Sequence, residues 1–267
     1  GYYKNRERDA TARRREDLRL LPLIERVFWE HRRRYGARRI AKELSAKGES
    51  CGPVRVARLM KRLGLVAIQP RSFRPKTTDS RHTLGYSPNL LADTESPGAV
   101  NRIWVGDITH IPLISGKFAY LALLMDLCSR KIVGWQIEDH MTEALVLITL
   151  RQSIVTRRPP PRLIHHSDRG GQYAGAEYRQ VLKRASMRQS MSRAANCYDN
   201  AFLESCFGSI KTELEMVADD NVMRARRQVG DYIGYYNIQR RHSSLNYLTP
   251  VEFESMRARR STAKPTT

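Results

Sequence analysis

Residues 103–138, IWVGDITHIPLISGKFAYLALLMDLCSRKIVGWQIE, decide how the chain folds. Ile103–Leu113 alternates partly between apolar and polar side chains, Ser115-Gly116-Lys117 supplies a turn, and Phe118–Cys128 is a strongly apolar run. Lys131–Glu138 follows after a short polar break. Runs this closely spaced predict an antiparallel meander of three strands. Downstream the period lengthens: Met141–Arg157 places Leu145, Ile148 and Ile154 on one side of a helix that ends before Pro159-Pro160-Pro161. Arg162–Asp168 predicts a short buried strand, Gly170-Gly171 a turn, Ala176–Ala185 a helix, Met187–Ser192 a fifth strand and Asp199–Met216 a long helix. A meander followed by crossover units, βββαβαβα, is an α/β fold with a mixed sheet and helices on its faces.

Upstream the chain reads as helical. Leu20, Leu23/Ile24 and Val27/Phe28 recur every three to four residues, with Pro22 placed where an early helical turn tolerates it. Ala37–Ala46, stopped by Gly48, and Pro53–Leu63, stopped by Gly64, are two further helices, and a Gly-containing turn between short helices matches a helix-turn-helix. On this reading Arg38 and Arg39 of the second helix and Arg55, Arg58, Lys61 and Arg62 of the third form a DNA-facing surface. A small helical bundle with solvated arginines accounts for the same residues nearly as well. Gln69–Val100 carries Pro70, Pro75, Pro88 and Pro97 without a sustained period, as a linker or an extended strap does. The expected division is a basic helical region at 1–65, a Pro-rich linker at 66–101, a catalytic core at 102–217 and a helical, basic tail at 218–267.

Charge indicates the partner. Residues 1–80 hold 22 Lys/Arg and 9 Asp/Glu, net +13, and the other 187 hold 25 and 18, net +7. The total of +20 in 267 residues exceeds the roughly 2–8 of an ordinary small domain. A basic arm on a nearly balanced body fits a polyanion, because phosphate neutralisation supplies most non-specific affinity for nucleic acid. No apolar stretch is long enough for a membrane span. Gly1–Arg15 is too polar for a cleaved secretory signal, although a start on Gly1 fits one part of a longer product. Cys51, Cys128, Cys197 and Cys206 lie far apart, as reduced thiols of a cytosolic protein do.

Three acids stand out by position. Asp107 lies inside the first strand, Asp168 ends the fourth, where ligands gather in open α/β sheets, and Glu204 sits in the long helix between Leu203 and Phe207. With 60 and 35 residues between them, two strand carboxylates and one helix carboxylate can converge. Oxygen-only ligands suit Mg²⁺ or Mn²⁺, and two such ions can activate a nucleophile and stabilise a leaving oxygen at a phosphodiester. Taken one by one, the same acids are ordinary surface residues. Asp199 reads as a helix cap and Asp126 as a structural ion pair with Arg130 or Lys131.

The spacing together with WVGDITHI, HHSDRGGQY, SMSRAANCYDNAFLESCFGSIKTEL and YYNIQRRHSSLNYLTPVEFE resembles transposases of the insertion-sequence-three family, from about Tyr35 to Glu254. The resemblance implies a ribonuclease-H-like core of the kind retroviral integrases have, with Asp107, Asp168 and Glu204 as a catalytic triad binding two Mg²⁺ or Mn²⁺ ions. It implies cleavage at the inverted-repeat ends of a mobile element and attack of the freed 3′-hydroxyl on another phosphodiester. The partners it implies are double-stranded DNA, both element ends and target, a second copy or a higher multimer on DNA, and an upstream reading-frame product. The location it implies is bacterial, cytoplasmic and nucleoid-associated. Lys211, two helical turns beyond Glu204, resembles the basic residue that this superfamily places near the scissile phosphate. Asn200, one turn before Glu204, is either a DNA contact or a helix cap, and His166, two residues before Asp168, either orders the site or is a core histidine. Arg240, Arg241 and His242, beside Tyr235 and Tyr236, can stack and pair with phosphate or dock the tail on the core. A catalytically silent DNA-binding regulator and a ribonuclease-H-type nuclease are the competing functions. A retroviral-type integrase would need a zinc module upstream, and His31, Cys51 and His82 are too few for one.

Overall fold

In a computed structural model of the chain, which describes residues 2–69, 85–91, 97–192, 201–214 and 221–262, the expected meander is β1 (Ile103–Pro112), β2 (Phe118–Asp126) and β3 (Ile132–Glu138). Two short strands, β4 (Ile164–Ser167) and β5 (Arg188–Met191), join parallel to β1, giving the mixed order β3-β2-β1-β4-β5. The strands belong to one of two compact units, Gly1–Pro70 and Arg71–Thr267.

Strand alternation separates two cores. Val105, Leu121, Leu123 and Met125 face α7 (Ala201–Glu213) and α8 (Val222–Ile238), packing with Leu203, Phe207 and Val229. Trp104, Ala122 and Leu124 face the other way, towards α4 (Glu143–Arg157) and α6 (Ala176–Arg184), with Leu145, Leu150 and Tyr178. Covered on both faces, β2 has no reason to alternate, which explains its unbroken apolar run. Each fully buried Leu or Phe contributes roughly 1.5–3 kcal/mol. Helix α4 crosses β3 at Gly134, where any Cβ would strike Ser153 Oγ and lie 3.0 Å from the Thr149 carbonyl. The predicted Gly170-Gly171 turn is instead the lead into a single helical turn, α5 (Gly171–Ala174).

Residues 85–91 lie along the outer strand β5. Ser87 Oγ donates to Gln189 (2.9 Å), Leu90 N–H to Ser190 Oγ (2.9 Å) and Arg179 to the Gly85 carbonyl. A covered edge cannot template pairing with another chain. At the carboxyl end, Thr249 and Glu252 form a reciprocal capping box (2.8 and 3.2 Å) that starts α9 (Pro250–Thr262). Glu254 of α9 then accepts from Ser129 Oγ, Lys131 Nζ and Arg157 at 2.7–2.9 Å.

The expected ion pair of Asp126 with Arg130 or Lys131 does not form. Asp126 is fully buried and accepts from the backbone N–H groups of Asn101 (2.6 Å), Cys128 (3.0 Å) and Ser129 (2.9 Å). A buried carboxylate satisfied by backbone donors holds the β2–β3 turn, and Lys131 goes to Glu254 instead.

The amino-terminal unit packs α1 (Tyr2–Glu30), α2 (Ala37–Ala46) and α3 (Pro53–Arg62) around Leu20, Ile24, Phe28, Tyr35, Ile40, Leu44, Val56 and Leu59. Gly48, at φ +85°, makes the turn between α2 and α3 in a conformation that disfavours a side chain. Helix α1 begins well before Leu20, so Pro22 lies in its interior. The first half has no apolar stripe to announce it, but it contains neither Gly nor Pro and is rich in Arg, Glu and Ala, which favour helix.

Candidate active site

Ser167 pairs with Gly106 in the parallel β1–β4 register, so Asp168, the next residue, emerges beside Asp107. The placement is local chemistry as well as topology. Asp168 Oδ1 accepts the Gly170 N–H at 2.9 Å, and a Cβ at Gly170 would sit 3.0 Å from that oxygen. Asp107 Oδ1 accepts the Ile108 N–H at 2.8 Å. Asp107 falls in the β1 series that faces α7, and α7 packs against β1. Leu203, Cys206, Phe207 and Ile210 anchor that helix, leaving Glu204 exposed at the rim.

The electrostatics show what the fold brings together. Burial above all, then the charge of Asp168 and more weakly that of Glu204, raise the Asp107 carboxyl well above the usual carboxylate range, against the Ile108 N–H and Lys211. Burial draws the Lys211 ammonium below its ordinary value, and Asp107 opposes this. Two further groups belong here that the sequence did not single out. Tyr173 of α5 is buried, its phenol raised by burial and then by Asp107, Tyr178 and Asp168. His110 has its imidazole lowered by burial and by Lys211. His110 stood in the quoted strand motif, but only the folded chain brings Tyr173 to Asp107.

Asp107 and Asp168, with the charge of Glu204 felt at Asp107, offer carboxylate oxygens, a chemistry that fits a hard divalent cation. As they stand, no group of three or more His, Cys, Asp or Glu side chains among the described residues is arranged to hold one ion.

Other expected contacts are placed elsewhere. His166 is fully buried with Nδ1 2.8 Å from Ser190 Oγ, a core histidine tying β4 to β5. Arg240 is buried and paired with Glu213 of α7 at 2.6 Å; burial lowers its pKa, but Glu213 and then Tyr232 and Tyr236 outweigh burial and raise it. Arg241 Nη1 donates to the Tyr247 carbonyl (3.0 Å), and buried His242 packs edge-on against Tyr236 at 4.5 Å. Of the three, Arg240 ties the tail to α7, while Arg241 and His242 make contacts within the tail. Arg55 and Arg58 donate to Asp17 of α1 at 2.8 and 2.7 Å; Arg58 is nevertheless exposed, as are Arg38, Lys61 and Arg62. Arg39 lies 5.7 Å from the Tyr35 ring centroid. Asn200 and Asp199 fall outside the described residues.

Comparison with known proteins identifies the family. Residues 97–197 and 185–250 match integrase core domain models, and residues 15–73 match an HTH-like domain. The chain is 40% identical over 95% of its length to the insertion element IS600 uncharacterized 31 kDa protein of Shigella sonnei, covering 93% of that protein. It is 40% identical over 86% of its length to transposase InsF for insertion sequence IS3A of Escherichia coli, covering 80% of it. The chain belongs to the IS3 family of transposases. It is therefore a DNA-binding polynucleotidyl transferase with an integrase-type core. A chain in the cryo-EM structure of the simian T-cell lymphotropic virus intasome in complex with PP2A regulatory subunit B56 gamma shares the fold, with TM-score 0.51 and 16% identity over 80% of this chain and 73% of that one. No helix among the described residues is long and apolar enough to cross a membrane.

Proposed function

We propose that this IS3-family transposase cuts the ends of its element and joins the 3′-hydroxyl to a second phosphodiester, with Asp107, Asp168 and Glu204 as the catalytic carboxylates. The observation that carries this reading is the parallel β1–β4 register that sets Asp168 beside Asp107, with the charges of Glu204 and Lys211 felt at the same carboxylate. The three acids would hold two Mg²⁺ or Mn²⁺ ions, which supply Lewis-acid stabilisation of the attacking and leaving oxygens when bound. Asp107 and Asp168 contribute from the rigid sheet and Glu204 from α7. Lys211 offers a cation to a DNA phosphate, and Gly170 N–H fixes the Asp168 rotamer through Oδ1. Buried Tyr173, which feels the charges of Asp107 and Asp168, keeps its proton.

The HTH-like unit and the exposed Arg38, Lys61 and Arg62 would hold duplex DNA, and joining two ends requires at least two copies on that DNA. An upstream reading-frame product is a further partner of the assembly. The test is Mg²⁺-dependent nicking and joining of a labelled duplex bearing the element's own end, wild type against Asp168→Asn. Joined product from wild type alone, with equal DNA binding by both, is the expected result. Binding without cleavage by wild type would favour a silent regulator, and preferential cleavage of an RNA–DNA hybrid would favour a ribonuclease-H-type nuclease.

A further inference from the structure

Arg130 has no part in the chemistry above, yet its placement is specific. It ends the β2–β3 turn at φ +58°, an uncommon conformation for any residue but glycine. Its guanidinium carbon lies 3.8 Å from the centroid of the Phe202 ring, well inside the roughly 6 Å reach of a cation–π contact. Nη1 is buried and has no acceptor among the described residues, because the nearby Asp126 is committed to backbone donors and Ser129. The aromatic face is thus the principal partner of this cation.

The turn that presents Arg130 is fixed from two directions. Asp126 holds its backbone from within, and Ser129 Oγ lies 3.1 Å from Asp126 and 2.9 Å from Glu254 of α9, which also takes Lys131 at 2.9 Å. Phe202 stands in the first turn of α7, two residues before Glu204. That turn is where a helix lacks internal acceptors for its N–H groups and frays most readily.

We infer that Arg130 is a positioning residue for Glu204: stacked on Phe202, it clamps the first turn of α7 to the β2–β3 turn and keeps the Glu204 carboxylate aimed at Asp107 and Asp168. The inference rests on the reading of Glu204 as a metal-holding carboxylate. Residues that orient a ligand without touching the ion commonly alter metal affinity about 10–100-fold.

The test uses the full chain as wild type, Arg130→Ala, Phe202→Leu, Phe202→Tyr and Glu204→Gln. Mn²⁺ affinity is measured by titration calorimetry, Mg²⁺ dependence by the joining assay, and Tm in EDTA. Arg130→Ala and Phe202→Leu should each weaken Mn²⁺ binding about tenfold and raise the Mg²⁺ concentration for half-maximal joining equally, and Phe202→Tyr, which keeps a ring, should restore both. Should Arg130→Ala fail to fold, Phe202→Leu tests the same stack from its exposed partner. A lowered Tm with unchanged Mn²⁺ affinity would make the stack purely structural and overturn the inference. Glu204→Gln separates the two claims: if it loses metal affinity while the Arg130 and Phe202 variants keep theirs, only the positioning role falls. If it retains full affinity and activity, the reading of Glu204 itself falls.

Discussion

On one side of α7, Glu204 and Lys211 look towards Asp107 and Asp168; on the opposite side, nine residues from Glu204, Glu213 meets Arg240. The second group is complete. Arg240 donates to both Glu213 oxygens at 2.6–3.0 Å and to Ser209 at 3.2 Å, and Tyr232 adds a hydroxyl to Glu213 at 3.0 Å. In the first, the charges of Asp168 and Glu204 disfavour charge on Asp107, and burial disfavours it on Asp107 and Lys211 alike. A fold that pairs the buried Glu213 on one side of α7 and sets Asp107 among like charges beside the other holds its unfavourable electrostatics at the site.

The sharpest way to break the comparison is to neutralise one acid on each side. Asp107→Asn should reduce joined product on the order of a thousandfold, the scale on which a lost electrostatic group acts. It should nevertheless raise Tm in EDTA by about 2–4 °C, the effect of roughly 1 kcal/mol in a chain of this size. A fall in Tm would mean that the contacts Asp107 makes outweigh the repulsion it meets. Arg240→Ala should do the reverse. Removing one partner of a buried pair costs about 3–5 kcal/mol, read as a lower urea midpoint, whereas Arg240→Met with Glu213→Leu should recover most of it. An Arg240→Ala protein as stable as wild type that binds DNA less tightly would return Arg240 to the DNA interface.

A smaller contrast separates two adjacent histidines. His165 is buried with Nε2 2.9 Å from Tyr178 Oη, and burial, followed by His166, pushes its imidazole down to about 3. Because the folded value lies below the unfolded one near 6.5, the unfolded chain takes up the proton first. Stability is full above pH 6.5 and declines as pH falls towards 3, by about 2 kcal/mol between pH 6.5 and 5. Urea titrations at both pH values should show that loss in wild type, with His165→Gln flattening this part of the profile.

These charges explain why the sequence could be read so unevenly. Helices α2 and α3 were visible because a period of 3.6 is imprinted by one-sided burial, and the meander because short apolar runs are set apart by turn residues; the sheet then carries Asp107 and Asp168 to neighbouring positions. Lys211 was reachable because seven residues return to the same helical face. Arg240 and Glu213 stand 27 residues apart, so no local pattern links them, and an Arg-Arg-His run near two tyrosines looks alike whether it faces phosphate or a buried acid. Asp126 misled for a related reason. Cations nearby in sequence suggested a salt bridge, but a turn with its own N–H donors claimed the carboxylate first.

The same ambiguity gives the mildest prediction, in the amino-terminal unit. Asp17 is buried, and the hydrogen bonds from Arg58 and Arg55 outweigh its desolvation to hold it below the usual carboxylate range. Arg58 is largely exposed beyond that contact, so the pairs should contribute only about 1–2 kcal/mol. Asp17→Asn should lower Tm accordingly while leaving DNA affinity and its salt dependence nearly unchanged, because it frees Arg55 and Arg58 without removing a phosphate contact. Lys61→Ala with Arg62→Ala should leave Tm alone and reduce the salt slope of DNA binding by about two, near one for each lost phosphate contact. The comparison turns on the sign of one measurement. If Asp17→Asn strengthens DNA binding and steepens the slope, the two arginines are phosphate contacts held back by the acid, and the DNA-facing surface of α3 includes them.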